Sequence, residues 1–120
     1  MAHLLHFHSV KDHRGTLSVV EKILPFNIKR VFYIYGMTSE RGGHRHISNQ
    51  MVLIALGGSV SVLVKSPEGE SHFELTGPDM GLYLAPEDWH VFESDGENTV
   101  LLALCSHEYD KNDYITEAYS

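Results

Sequence analysis

Arg41-Gly42-Gly43-His44-Arg45-His46-Ile47-Ser48-Asn49-Gln50, running on into Met51-Val52-Leu53-Ile54-Ala55-Leu56-Gly57-Gly58, is the passage on which the reading of this chain turns. A glycine pair, two histidines two residues apart, and an unbroken apolar run closed by a second glycine pair have the pattern of a strand bounded by turns. Side chains two apart on a strand share a face, so His44, His46, Ser48, Gln50, Val52 and Ile54 are expected on one side of one regular strand. The polar end of that face would carry two imidazoles and an amide, and the apolar end would enter a core. In a small barrel closed at one end by its core, such a strand lines a pocket at the open end.

Working outward, short β-type runs recur between turn residues. They are Thr16 to Val20, Lys29 to Tyr35, Ser59 to Val64, His72 to Leu75, Gly81 to Leu84 and Val100 to Cys105, besides Gln50 to Leu56. Turn chemistry stands between them at Asp12-His13-Arg14-Gly15, Gly57-Gly58, Ser66-Pro67-Glu68-Gly69, Gly77-Pro78-Asp79 and Asp95-Gly96. This predicts an all-β barrel or sandwich with no long amphipathic helix. The polar tail from Glu108 to Ser120, with Tyr109, Tyr114 and Ile115 spaced along it, is expected as a short helix or a strand packed on the outside.

At 120 residues the chain is expected to be a single domain, residues 1–120, able to bury about two thirds of its unfolded surface without a metal or disulfide. The one cysteine, Cys105, follows the apolar run Val100-Leu101-Leu102-Ala103-Leu104, which predicts a buried, inert thiol and a reducing, cytoplasmic setting. No apolar run approaches membrane-spanning length, and no basic segment precedes a long apolar core at the start. A formal net charge of −7 argues against a nucleic-acid surface, which needs clustered Lys and Arg. Arg14, Arg30, Arg41 and Arg45 all fall in the first half, near turns or histidines, where they could hold an anion.

The chain has nine histidines. His3, His6, His8, His13, His72 and His107 read as ordinary surface residues. His44 and His46 differ, because their spacing aims both into a pocket, and imidazole titrates near neutrality, which suits it to removing and returning a proton. Acid/base work fits them better than metal ligation, since the sequence offers no clear third and fourth ligand. His90, beside Trp89, reads equally as a pocket residue or a loop residue. Tyr33 and Tyr35 share one face of the strand that precedes the histidines, and Arg30, Phe32 and Ile34 share the other. Either tyrosine could stack on a ligand or donate a proton, or else fill the core.

His44-x-His46-x-x-x-Gln50 with Gly57 resembles the first signature of the cupins, with glutamine where metal-binding members carry glutamate. Gly81, Pro86, Asp88 and His90 resemble a degraded second signature. The wider set comprises Asp12-x-Arg14-Gly15, Pro25-Phe26-x-Ile28-Lys29-Arg30-Val31-x-Tyr33, Arg41-Gly42-x-His44-x-His46, Gly81-Leu82-Tyr83, Trp89-His90 and Tyr109-Asp110-x-x-Asp113-Tyr114-Ile115. Together these resemble the nucleotide-sugar 3,4-ketoisomerases, small cupins related to the deoxysugar 3,5-epimerases, and the likeness runs nearly end to end.

The resemblance implies a cupin fold, a double-stranded β-helix or jelly roll, and metal-free catalysis without a cofactor. The implied substrate is a dTDP-linked 4-keto-6-deoxyhexose whose carbonyl moves from C4 to C3. The product would feed amino transfer to a 3-amino-3,6-dideoxy sugar, of the kind built into lipopolysaccharide O-antigens and S-layer glycans. It further implies His46 as the base, His44 acting on the oxygens, Tyr33 or Tyr35 assisting proton transfer, Arg14, Arg41 and Arg30 holding the anionic part, and Gln50 orienting the sugar. Arg14 with His90 resembles the branch that forms the galacto product. A homodimer with an exchanged edge strand is implied as well. The chain departs from its relatives at Arg45 and Ile47, and its Gly36 to Glu40 loop and its tail are short. The competing readings are a 3,5-epimerase, a non-catalytic nucleotide-sugar-binding cupin and a metal-dependent enzyme.

Overall fold

The computed structural model describes residues 1–119; Ser120, the last residue of the tail, lies outside them. The chain forms β1 (His3–His6), β2 (His8–Asp12), β3 (Gly15–Val19), β4 (Arg30–Ile34), β5 (Arg41–His46), β6 (Met51–Leu56), β7 (Val60–Ser66), β8 (Gly69–Leu75), β9 (Met80–Leu84), β10 (Trp89–Ser94) and β11 (Val100–Cys105). A turn of 3-10 helix, Lys111–Asp113, then leads into β12 (Tyr114–Ile115). All pairings are antiparallel. One sheet has the order β1-β9-β6-β11-β4 and the other β12-β5-β10-β7-β8, while β2 and β3 form a separate two-stranded hairpin.

The two five-stranded sheets enclose the core. Met51, Leu53 and Ala55 of β6 meet Val60, Val62 and Val64 of β7, with Leu82, Leu84, Phe92, Leu101, Ala103 and Cys105 completing the cluster. The outer face of the first sheet is covered too: Val52, Ile54 and Leu104 pack with Phe7 beneath Val20, Ile23, Leu24 and Phe26. Strand β6 is therefore buried on both sides, which explains a continuous apolar run where a half-exposed strand would alternate. The tail adopts both of the forms expected of it, the 3-10 turn and the short strand β12, which pairs Tyr114 with His46 and Ile115 with Arg45.

The single regular strand expected from His44 to Leu56 is two strands in two different sheets. It breaks at residues 47–50, where the chain crosses from one sheet to the other. Backbone groups in the crossing find partners elsewhere: the Ile47 N–H donates to the Asp113 carbonyl, and the Ser106 N–H to the Gln50 carbonyl. The break ends the common face. Met51 and Leu53 enter the main core, whereas Val52 and Ile54 join the outer cluster. Strands β1, β2 and β10 were not among the expected runs; β1 and β2 are largely exposed and carry little apolar pattern.

A bulge in β5 sets the geometry of the open end. His44 pairs with His90 and Gly42 with Val91, leaving Gly43 as an extra residue. Gly42 and Gly43 have φ of 99° and 80°, in the left-handed region that suits glycine. A Cβ on Gly42 would lie 2.7 Å from the His90 carbonyl oxygen, so only glycine lets β5 lie this close to β10. We expect Gly42→Ala to cost at least about 1–3 kcal/mol from backbone strain alone. Chemical denaturation of wild type and variant checks this, and an unchanged midpoint would mean that the close approach does not need glycine.

Candidate active site

Between the sheets, at the end where β4, β5, β10 and β12 converge, lies a cavity of about 280 Å³. Its walls are Arg30, Phe32 and Ile34 from β4, Arg41, Gly42, His44 and His46 from β5, Met51, His90 and Phe92, and Tyr109 and Tyr114 from the tail. Arg41 and His44 are three residues apart, an odd spacing that would place them on opposite faces of a regular strand; the extra residue Gly43 brings both to the cavity. A larger concavity of about 540 Å³ runs along the hairpin, lined by Val10, Asp12, Arg14, Gly15, Thr16 and Leu17. Its one strong polar feature is an Asp12–Arg14 ion pair already closed on itself at 2.6 Å, so the chemistry resides in the smaller cavity.

Three imidazoles form the floor. The His44 ring lies 5.0 Å from His46 and 4.9 Å from His90, both edge-on, and Tyr114 sits 4.7 Å from each of His44 and His46. His46 Nδ1 is 3.1 Å from a carboxylate oxygen of Asp113. A carboxylate only accepts, so Nδ1 carries the proton and Nε2 keeps its lone pair. His90 Nδ1 is 3.0 Å from the Asp88 carbonyl, which defines the same tautomer there. The Nε2 atoms of His46 and His90 are both buried and have no hydrogen-bond partner.

Asp113 does more than orient His46. It also accepts from the Ser48 N–H at 2.8 Å and the Asn49 N–H at 3.2 Å, so one carboxylate holds the base and the sheet-to-sheet crossing together. Arg30 stacks over Phe32 and Tyr109 at 5.0 and 5.5 Å and donates to the Tyr114 hydroxyl at 3.4 Å. The Trp89 indole N–H donates to the Thr116 carbonyl at 3.0 Å, pinning the tail across the cavity.

The electrostatics follow from burial. Desolvation pushes His46 down to about 4; neighbouring His44 adds to the fall, and Asp113 opposes it by stabilising the imidazolium. His90, fully enclosed, is pushed down to about 3 by burial, against the pull of its bond to the Asp88 carbonyl. His44 is lowered by the same desolvation. All three are neutral at pH 7, so the lone pairs are available and the cavity carries the positive charge of Arg30 and Arg41.

Of the candidate residues, the structure gathers His44, His46, His90, Arg30 and Arg41. Four lie elsewhere. Tyr33, on the outer face of β4, and Tyr35, just past its end, are 62% and 72% exposed, because the alternation of that strand turns Arg30, Phe32 and Ile34 inward. Gln50, past the break in the strand, accepts a hydrogen bond from Tyr83 at 2.7 Å. Arg14 sits at the tip of the β2–β3 hairpin. Asp113 and Tyr114 had appeared only as part of a matching tail motif, with no role attached, because nothing local ties residue 113 to residue 46. The missing third ligand for a metal is supplied by the fold: His44, His46 and His90 present nitrogens within 4.8 Å of one another.

Two antiparallel sheets closed over a histidine-lined cavity make this a small cupin. The chain belongs to the family of FdtA, described as WxcM-like, C-terminal, whose family model matches residues 1–120. It is 36% identical over 118 residues, 95% of this chain and 85% of the relative, to a TDP-4-oxo-6-deoxy-alpha-D-glucose-3,4-oxoisomerase of Aneurinibacillus thermoaerophilus. A solved histidine-to-asparagine variant of the 3,4-ketoisomerase QdtA from Thermoanaerobacterium thermosaccharolyticum, in complex with TDP-4-keto-6-deoxyglucose, superposes with a TM-score of 0.91 at 40% identity, over 97% of this chain and 87% of that one. The Mycobacterium tuberculosis rmlC epimerase shares the fold, with a TM-score of 0.81 over 94% of this chain and 66% of that one, at 19% identity.

The shifts of His46 and His90 have a consequence for stability. Both groups titrate near 6.5 when unfolded and near 4 and 3 when folded, so protons favour the unfolded chain below about pH 6.5. Their contribution is complete above that pH and is lost as pH falls toward 4 and 3, by up to about 1.4 kcal/mol per pH unit for each. Denaturant midpoints should therefore fall between pH 7 and pH 5, and less steeply in His90→Gln, whose amide does not titrate. Equal slopes in wild type and variant would refute the buried neutral state.

Proposed function

We propose that the chain, as one cupin domain over residues 1–120, is a sugar 3,4-ketoisomerase acting on a dTDP-linked 4-keto-6-deoxyhexose. The observation that carries this is the His46–Asp113 pair, with an unpartnered imidazole nitrogen in a cavity lined by Arg30 and Arg41. The identities of 36% and 40% to 3,4-ketoisomerases, against 19% to the epimerase, favour this reading over 3,5-epimerisation.

The C4 carbonyl acidifies the C3–H bond. His46 Nε2 takes that proton, and the electron pair moves through an enediol. The same nitrogen returns the proton to C4, while the hydroxyl proton passes from O3 to O4, so the ketone ends at C3 with nothing gained or lost overall. As His46 becomes charged, the Asp113 carboxylate on its other nitrogen stabilises the imidazolium. His44 serves the oxygens, where negative charge develops. Arg30 and Arg41 supply charge-assisted donors for substrate oxygens.

His90, across the cavity from His46, is our candidate for setting the C4 configuration, together with Arg14, and we favour the galacto product. Arg14 lies on the hairpin and not in the wall of its own chain's cavity, and we propose a homodimer that exchanges the hairpin and so brings Arg14 of one copy to the site of the other. Supporting it, the β2–β3 hairpin is a two-stranded sheet of its own, which is marginal in isolation. It exposes Val10 and Leu17, while β4 exposes Val31 and Tyr33, with Tyr35 exposed just beyond it. Among the described residues no helix is long and apolar enough to cross a membrane, and we place the reaction in the cytoplasm.

Incubation with dTDP-4-keto-6-deoxyglucose in D2O, followed by NMR and coupled to a 3-aminotransferase, tests the reaction. Carbonyl migration to C3 is expected, with an axial C4 hydroxyl, and His46→Asn should lower turnover about 10²–10⁴-fold. Deuterium at C3 and C5 without migration would make the protein an epimerase, and ligand binding without turnover would make it a binding module.

Complementation tests the dimer. Arg14→Ala and His46→Asn subunits, each impaired alone, should regain activity when unfolded and refolded together, because a mixed dimer assembles one intact site. No recovery would place Arg14 outside the partner's site.

A further inference from the structure

We propose that Asp88 is a positioning residue for the histidine floor: its buried carboxylate braces the turn at residues 85–88, and the carbonyls of that turn hold His46 and His90 in place. The effect expected on turnover rests on the reading of the cavity as a ketoisomerase site; the effect expected on the rings does not.

Residues 85–88 carry the chain from β9 in one sheet to β10 in the other. Backbone groups at such a crossing have no ladder to join, so their partners must come from elsewhere. Asp88 closes the turn twice. Its Oδ2 accepts from the Ala85 N–H at 2.9 Å, and its own N–H donates to the Ala85 carbonyl at 3.1 Å. The closed turn then presents two carbonyls to the floor of the site. That of Pro86 accepts from the His46 N–H at 2.8 Å, and that of Asp88 accepts from His90 Nδ1 at 3.0 Å. One turn therefore fixes the backbone of one histidine and the ring of another.

A buried carboxylate is a costly brace. Asp88 is 1% exposed, its Oδ1 is buried without a partner, and burial pushes the carboxyl up from its ordinary value. The exposed N-terminal ammonium lies 3.9 Å from Oδ2, beyond hydrogen-bonding distance. The firm contact of this side chain is with its own turn, so what it stabilises is the shape of that turn. For His90 the shape decides chemistry as well as place. Which nitrogen of a neutral imidazole carries the proton is set by the hydrogen bonds the ring makes, so the Asp88 carbonyl keeps the proton on Nδ1 and the lone pair on Nε2. Once the carbonyl moves away, the proton is free to pass to Nε2, and the cavity gains a donor where it now has an acceptor.

The test is 15N imidazole NMR of the wild type, Asp88→Ala and Asp88→Asn, read beside steady-state kinetics with dTDP-4-keto-6-deoxyglucose. His90 of the wild type should show the Nδ1–H form. Asp88→Ala should shift it toward Nε2–H and lower kcat about 10–10²-fold. KM should change little, since Arg30 and Arg41 come from β4 and the far end of β5. Asp88→Asn keeps one accepting oxygen and sheds the charge, so it should restore both the tautomer and the rate. Should Asp88→Ala not fold, Asp88→Leu, which fills the space and accepts nothing, is read in its place. An unchanged His90 tautomer in the folded Ala or Leu variant would overturn the proposal. So would an Asn variant as impaired as Ala, which would make the charge and not the brace responsible. A shifted tautomer at full turnover would leave Asp88 a purely structural residue and overturn its positioning role. Absence of turnover in the wild type would count against the isomerase reading and leave the spectroscopic result standing.

Discussion

The Asp113 carboxylate is the point on which the rest depends. It receives one imidazole N–H from His46 and two backbone N–H groups from Ser48 and Asn49, so it joins the end of β5, the crossing to β6 and the tail that closes the cavity. The crossing is where the chain leaves one sheet for the other, and its backbone groups cannot pair in a ladder. A buried N–H without a partner is costly, and a carboxylate can satisfy several at once because it accepts at both oxygens. The tail brings that carboxylate, and in doing so delivers Tyr114 against the histidines.

Around this anchor the protein maintains an arrangement that water would dissolve. Three imidazoles within stacking distance are tolerable because all are neutral, and they are neutral because the cavity is desolvated. Positive charge stays with the guanidinium groups of Arg30 and Arg41. The base is correspondingly weak in the resting state, and Asp113 offsets this by stabilising the proton once it arrives. Lone pairs kept available in this way can take a proton from a carbon acid, which ties the proposed catalysis to the burial of the cavity.

Much of the fold was legible because turn residues and apolar runs are local signals. Val100–Cys105 matched residue for residue, and the other expected strands lie within a few residues of those observed. Of the strands that escaped notice, β1 and β2 have no buried face to impose an apolar alternation, and in β10 one of the buried positions is held by the polar His90. The histidine pair was legible from its spacing, but the face assigned to Gln50 was not, since the period of two holds only while the strand continues. Tyr33 and Tyr35 share a face, as the period of two requires. Which of the two faces of β4 meets the cavity is decided by how that strand joins β11, far along the chain.

The sequence by itself determined the inventory: an all-β chain, a His-x-His pair introduced by glycines, a run of apolar residues long enough for a doubly covered strand, and the motifs of a family. Each is readable because it rests on interactions within a few residues. Tertiary structure decided the assembly: that His90 joins the pair as a third imidazole, that Asp113 orients a histidine 67 residues away, and that Arg41 and His44 share a wall despite odd spacing. Those outcomes depend on strand register, on one bulge residue and on the path of the tail, and they exist only once the two sheets have closed on each other.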